Sequence, residues 1–294
     1  MGSDHQHHHR HDNLRTAFFL NLGFTVIEIV GGLYVNSVSI ISDAVHDLGD
    51  SISIGLAWYL ERVSKKGASQ KFSFGYSRFS LLGALINSMV LIMGSGYVIY
   101  EGVRRLIHPE LSDANGMMLL AVVGVAVNGY AALKMSRGKT LNERVISWHL
   151  LEDVFGWAAV LLVGIVLKFY ESPYLDPALS LMIAGYILWN VLKRLKETLE
   201  VFLQGTPHEV DLREIEQKLL NLTLIDSLHD SHIWSLDGER NVFSTHVKLR
   251  EVLSIPQMRE VKNQIKETLR PYHFHNCTVE LEFADEVCSM EHTH

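Results

Sequence analysis

Six stretches of this chain, about 14–36, 40–62, 79–104, 116–136, 144–169 and 174–195, are each long and apolar enough to cross a bilayer. Spanning about 30 Å of hydrocarbon takes roughly 20 residues in a helix. Inside that slab no water serves the backbone, so each stretch must pair its own amide and carbonyl groups, and a helix does so. The composition agrees: 48% of residues are hydrophobic and 20% charged, a balance that suits membrane spans carrying a soluble appendage. The second and fifth stretches are the least hydrophobic, which marks them as interior helices facing each other or water and not lipid.

Basic residues set the orientation. Arg62, Lys65, Lys66, Lys71 and Arg78 lie between spans two and three, Lys134, Arg137, Lys139 and Arg144 between four and five, and Lys193, Arg194 and Lys196 after span six. The opposite connections hold only Arg104, Arg105 and Lys168. The excess of positive charge on one side places both termini in the cytoplasm. The apolar run after Leu14 lacks a small-residue cleavage site and is long enough to stay in the bilayer.

After Pro207 the pattern changes. Residues 208–221 read as an amphipathic helix, and "DSHIWSL" and "NVFSTHVKL" read as strands joined by a tight turn at "DGER". A helix at about 255–270, closed by Pro271, precedes the strand "CTVELEF". The expected fold is therefore a membrane α-helical one: six transmembrane helices followed by a small cytoplasmic α+β domain of order α-β-β-α-β. Its parts are a histidine-rich cytoplasmic tail at 1–13, the six-helix domain at 14–205, and the cytoplasmic domain with its C-terminal tail at 206–294.

The second span contains "SDAVHDLGD", with three carboxylates and a histidine where hydrocarbon is expected. His46 and Asp50 are four apart and share one helix face. In span five, within "SWHLLEDVFGW", His149 and Asp153 repeat the same spacing in the same order. Two facing helices so equipped supply two imidazole nitrogens and two carboxylate oxygens, a tetrahedral set suited to Zn²⁺, with two negative charges against one divalent cation. Ionisable groups within spans are expensive and by default functional. Asp43 and Asp47 fall on other faces, and Asp47 reads as a cytoplasm-side entry carboxylate, an outer support of the site, or a simply solvated group. Asn21, Glu28, Asn87, Asn128, Glu152 and Asp176 read as groups that hydrogen-bond between helices or line a vestibule.

The paired motifs, together with "FSFGYSRFSLLGALIN" before span three, "DP" opening span six and "HIWSL" in the cytoplasmic part, resemble the cation diffusion facilitator family, close to its zinc-transporting branch. The likeness runs from about Leu14 to Glu282. It implies a homodimer, not an enzyme, whose protomers each move zinc out of the cytoplasm in exchange for protons by alternating access. Two features depart from the family pattern: Ser80 stands where relatives often carry an acid, and "KMSRGKTLNER" between spans four and five holds no histidine.

In the cytoplasmic part His229, His232 and His246 recur, and His232 and His246 lie on strands joined by a turn. Resemblance to vesicular zinc transporters implies a cytoplasmic zinc site at His232, His246 and Glu282, completed by an amino-terminal histidine of the other protomer. Here that histidine would come from "DHQHHHRH", where His7, His8 and His9 are the candidates. His229 is an auxiliary candidate, and Cys288 with His292 and His294 forms a looser one. Cys277 reads as a buried thiol.

The chain holds no phosphate-binding GxxxxGK[ST] loop, so gradients and not nucleotide must drive transport. No HExxH stands on any span, and a zinc held by four protein groups leaves no open catalytic position. A net charge of -7 and no basic face in the soluble part exclude nucleic acid. Zinc and protons compete for the same nitrogen and oxygen atoms, which couples the two. Cd²⁺ shares zinc's ligand preferences, and cobalt or nickel remain open as cargo. The expected setting is a bacterial inner membrane, with an organelle membrane as the alternative. A rival function is a membrane-anchored zinc receptor whose intramembrane metal is structural and whose flux is nil.

Overall fold

The computed structural model describes residues 4–64, 67–136, 141–286 and 288; within its helices the side chains of 4–17, 20, 57, 58, 60–62, 64, 134, 135 and 141–149 are not described. The chain divides into two compact units, one of Met1–Lys66 and Leu82–Leu195, the other of Gly67–Leu81 and Lys196–His294.

The first unit is built from long helices: α1 (Asp4–Tyr34), α2 (Val38–Ser64), α3 (Phe79–Ile107), α4 (Ala114–Ser136), α5 (Leu141–Phe169) and α6 (Leu175–Phe202), the first and last segments of α3 and α6 extending beyond it. Among the described residues four segments are long and apolar enough to cross a membrane: Phe79–Ile107, Ala114–Leu133, Leu150–Phe169 and Leu175–Phe202. In α1 the apolar stretch is shorter, Asn21–Tyr34. The helix α2 is not among them, because Asp43, Asp47 and Asp50 lower its hydropathy; six spans therefore rest on α1 and α2 being carried by their neighbours. Large apolar side chains such as Met93, Leu119 and Trp189 stand two-thirds or more exposed, at 67%, 68% and 73%, a surface that suits lipid and not water.

The helices of this unit approach closely where small residues allow it. A Cβ added at Gly124 in α4 would lie 2.2 Å from the Trp157 ring of α5, so only glycine fits there. Trp157 in turn is the largest member of a buried cluster with Val35, Ile40, Met117, Val160 and Leu179. Similarly, Gly49 of α2 and Gly94 of α3 admit Leu91 and Val45 of each other's helix. This packing is van der Waals in origin, since lipid provides no hydrophobic drive between spans.

The second unit contains α7 (Leu212–Leu220), β1 (Ile225–Ser235), β2 (Asn241–Leu249), α8 (Ile255–Leu269) and β3 (Asn276–Glu282), with a 3₁₀ turn at Arg270–Tyr272. The order α-β-β-α-β is as expected. Asp211 caps α7 by accepting from the Arg213 amide at 2.9 Å, and Gln257 reaches back to the Ser254 amide at 2.9 Å to fix the start of α8. The sheet runs β1-β2-β3, with β1 and β2 antiparallel and β3 parallel to β2, so α8 serves as the crossover. Ile215, Leu219, Val261, Ile265 and Leu269 from the helices pack with Ile225, Phe243, Val247 and Leu249 from the sheet into one core. The opposite sheet face carries His246, paired with Glu280. Cys277 is exposed on the edge strand β3, not buried as its residue type suggested.

The expected tight turn is a five-residue loop closed by a hydrogen bond from the Leu236 amide to the Arg240 carbonyl at 2.9 Å, with Gly238 at φ +97°. Asp237 holds it, accepting from the Glu239 and Arg240 amides at 3.1 and 2.9 Å and from Arg240 Nε at 2.7 Å. Burial alone would raise this carboxyl, but the Arg240 amide and guanidinium and the Glu239 amide outweigh it and hold it below the usual carboxylate range. Its contribution is thus fully present above the unfolded-state value of about 3.9 and is lost as pH falls through the lower folded value. Replacing Asp237→Asn should weaken the hairpin by about 1–2 kcal/mol at neutral pH. Hydrogen exchange of the β1 and β2 amides should show the loss, and the gap between variant and parent should close in acid.

Candidate metal centres

On α2, the i, i+4 spacing brings the His46 and Asp50 side chains together, with Nε2 to Oδ2 at 3.8 Å. The same nitrogen lies 3.8 Å from Oδ1 of Asp153 on α5. Three of the four groups anticipated from the sequence therefore converge on one imidazole nitrogen. Tetrahedral zinc with bonds of 2.0–2.1 Å places its ligand atoms roughly 3.3 Å apart, so these separations need to contract by about half an ångström to grip an ion. His149 stands one turn before Asp153 in α5, and its side chain lies outside the described residues. Gly156 follows Asp153 by three positions, and a Cβ there would sit in ordinary contact with Asp43 Oδ1 at 3.5 Å, so this part of α5 lies against the acidic face of α2.

Around this centre the polar groups sort into two kinds. Asn21 of α1 donates to the Asp47 carbonyl at 3.0 Å and to Ser51 Oγ at 3.1 Å, and Asn87 of α3 donates to Ser53 Oγ at 2.7 Å. Tyr186 of α6 donates to Glu152 of α5. These tie neighbouring helices to α2 and α5. Glu28 and Asp43 behave otherwise: both are buried, and the two Glu28 carboxylate oxygens, Asp43 Oδ2 and Asn128 Nδ2 have no hydrogen-bond partner among the described residues. Glu28 faces Asp47 and Asp43 of α2, beside the histidine–aspartate centre.

The second centre lies on the sheet of the second unit, on the face that carries His246. His229, His246, Glu282 and Cys288 each offer a donor atom, and these atoms all lie within 4.8 Å of one another. Glu282 Oε1 is 3.1 Å from His229 Nε2 and 2.9 Å from His246 Nδ1, and Cys288 Sγ is 3.5 Å from the same His246 nitrogen. Although Glu282 is buried, which opposes its ionisation, Cys288, His246 and His229 together hold its carboxyl below the usual range. Two nitrogens, a carboxylate oxygen and a sulfur make a four-donor set that fits zinc. The other His246 nitrogen lies 3.8 Å from Asp230 Oδ2 and 3.6 Å from Glu280 Oε2, the kind of outer carboxylate that orients a ligating imidazole.

This cluster differs by residue from the set implied by resemblance. His246 and Glu282 belong to it, but His229 stands where His232 was expected, and Cys288 joins them. The reason is a register shift in β1: His229 pairs with His246, whereas His232 pairs with Ser244, so three steps on β1 match two on β2. Asp230, at φ 51°, occupies the left-handed region that such an extra residue needs. His232 is left with its side chain 61% exposed and its Nε2 against Asp230 Oδ1 at 2.9 Å. The sequence hint was the Asp-Ser pair between the two histidines, since aspartate tolerates that conformation better than most residues. His7, His8 and His9 fall where side chains are not described, and His292 and His294 lie outside the described residues.

Profiles of two domains match the chain: the cation efflux transmembrane domain over residues 14–203, and the cytoplasmic domain of cation efflux proteins over 207–284. The chain belongs to the cation efflux family. Its cytoplasmic part is of a type named for dimerisation. Among cation efflux proteins it is 32% identical over 290 residues to the "Cadmium, cobalt and zinc/H(+)-K(+) antiporter" of Bacillus velezensis, covering 97% of this chain and 93% of that one. It is 31% identical to the "Metal cation efflux system protein CzcD" of Cupriavidus metallidurans, over 97% of this chain and 91% of that one. To the "Zinc transporter ZitB" of Pectobacterium atrosepticum it is 26% identical, over 97% and 92%. As a cation efflux protein it is a membrane transporter, and both metal centres lie within the matched regions save Cys288.

With Asp50→Ala in the background to silence the intramembrane centre, His229→Ala should weaken zinc binding at least ~10-fold. His232→Ala should leave it within about twofold. Competition against a chromogenic zinc chelator measures both.

Proposed function

We propose that this cation efflux protein is a homodimeric antiporter that carries Zn²⁺ out of the cytoplasm in exchange for protons, binding the ion at His46, Asp50, His149 and Asp153. The observation that carries the reading is the meeting of Asp50 and Asp153, from α2 and α5, at the same His46 nitrogen, 3.8 Å from each. Such a group within membrane-spanning helices is costly unless a cation neutralises it. One relative named a cadmium, cobalt and zinc/H(+)-K(+) antiporter supports the cargo and the exchange for protons, and another named for metal cation efflux supports the direction. Cadmium, with similar ligand preferences, is the second cargo.

The exchange follows from the donor atoms. An imidazole nitrogen and a carboxylate oxygen hold either a proton or a metal ion through the same lone pair. Protons arriving from the acidic side take those lone pairs and release zinc there; the protonated site then returns and gives its protons up to the cytoplasm. The basic connections after α2, α4 and α6 put both termini and the second unit in the cytoplasm, here that of a bacterial cell bounded by its inner membrane.

In this reading the His229, His246, Glu282 and Cys288 cluster binds zinc when the cytoplasmic concentration rises and favours one arrangement of the dimer, with the amino-terminal histidines adding donors. A ligand that prefers one state shifts the population toward it.

Reconstituted in liposomes with a pH gradient, the parent protein should move zinc, and Asp50→Ala or Asp153→Ala should abolish the flux, a loss of ~100-fold or more. His246→Ala should retain flux but lose its stimulation by zinc on the cytoplasmic face. Stable zinc binding without flux in the parent would instead identify a membrane-anchored receptor.

A further inference from the structure

The short turn between α1 and α2 is fastened from three directions. Asp176, in the first turn of α6, is only 1% exposed, and both of its oxygens are engaged. Oδ1 accepts from Ser37 Oγ at 2.7 Å, Ser39 Oγ at 2.5 Å and the Ser39 amide at 3.3 Å. Oδ2 accepts from the Val38 amide at 2.8 Å and Ser112 Oγ at 3.1 Å. The first amides of a helix have no partners within it, and the positive end of the helix dipole attracts an anion. Asp176 thus caps α2 from another helix.

Beside it, Arg105 at the end of α3 donates to the Asn36 carbonyl and to Asn36 Oδ1, each at 2.6 Å, and its Nε is held by Glu101 Oε1 at 3.1 Å. Asn36 takes φ 55°, a conformation asparagine accepts readily. The connection from α3 to α4 adds a bond from the Asp113 amide to the Val35 carbonyl at 2.8 Å. Segment 35–39 is therefore pinned by the ends of α3 and α6 and by the start of α4.

Below this clamp the helices are closely packed. Val38, Ile40, Val98, Met117 and Ala184 are all 2% exposed or less, being at 1%, 0%, 1%, 0% and 0%. His46 follows Ser39 by seven positions on α2, or about 10 Å along the helix. The His46 and Asp50 side chains are nevertheless 29% and 26% exposed. The centre is thus covered by buried side chains on the clamp side while His46 and Asp50 keep partial exposure.

We propose that the Asp176 clamp is the extracytoplasmic gate of the transport path, and that Asp176 is the positioning residue that holds α2 in the inward-open arrangement. This rests on the transport reading and topology given above. Opening requires the start of α2 to part from α6 and α3. The freed carboxylate, serine hydroxyls and amides then exchange their mutual bonds for water, which makes two discrete states of comparable energy attainable.

The test places a reporter at Ser42, which is 1% exposed and lies on α2 between the clamp and His46. In right-side-out and inside-out vesicles, a Ser42→Cys protein is treated with a membrane-impermeant maleimide, and the same protein with Ser42 intact corrects for Cys277 and Cys288. Asp176→Asn should raise labelling from the extracytoplasmic side at least about tenfold, the population change expected when a buried charge-assisted hydrogen bond is lost. It should also raise the KM for cytoplasmic zinc, because fewer molecules face inward. Should Asp176→Asn fail to fold, Ser37→Ala with Ser39→Ala loosens the clamp while keeping the carboxylate, and should raise labelling by a smaller factor.

Labelling that stays at the parent rate, or that rises only from the cytoplasmic side, would overturn the gate. Lack of zinc flux in the parent counts against the transport reading alone, since the labelling still reports whether the clamp opens.

Discussion

An ionised carboxylate inside a bilayer must be neutralised or solvated, and this constraint organises the membrane unit. Asp50 and Asp153 come from helices that are more than a hundred positions apart in sequence, and both meet the His46 nitrogen at 3.8 Å. That meeting decides which faces of α2 and α5 turn inward. Glu28 and Asp43 are buried beside the same centre. The apolar sides of α3, α4 and α6 are then free to face lipid.

The acidic pair can meet only because the surrounding helices pack tightly and α2 is held at one end. Gly124 admits the Trp157 ring, so α4 and α5 approach without steric conflict. Asp176 caps α2 from α6, seven positions before the first ligating residue counted from Ser39. Rigid support at one end and partial exposure of His46 and Asp50 at the other give the centre a direction. A transporter needs that asymmetry, provided it can be reversed.

Part of this was legible in the sequence for a physical reason: helices and their neighbours i, i+4 are local, so His46 and Asp50 could be paired by spacing alone. The cytoplasmic order α-β-β-α-β was likewise written in alternation, caps and prolines. Other features depended on distant contacts. The clamp joins Asp176 to Ser37 and Ser112, 139 and 64 positions away; the sequence marked Asp176 as a group that bonds between helices or lines a vestibule, but not which partners it would meet.

The strand β1 begins at Ile225, earlier than the run "DSHIWSL", because its register shifts interrupt the alternation by which a strand is recognised. For the same reason His229 replaces His232 beside His246 and Glu282. A single left-handed residue, Asp230, changed the partner of one histidine, and no periodicity could announce it.

The central claim is that one divalent ion is held within the membrane by His46, Asp50, His149 and Asp153. X-ray absorption on zinc-loaded protein carrying His229→Ala and Glu282→Ala, so that the intramembrane zinc dominates, tests it directly. The account predicts about four nitrogen and oxygen neighbours at ~2.0 Å with the outer-shell signature of two imidazoles, reduced to one by His149→Ala. A six-oxygen shell, or a spectrum with two imidazoles that His149→Ala leaves unchanged, would contradict it.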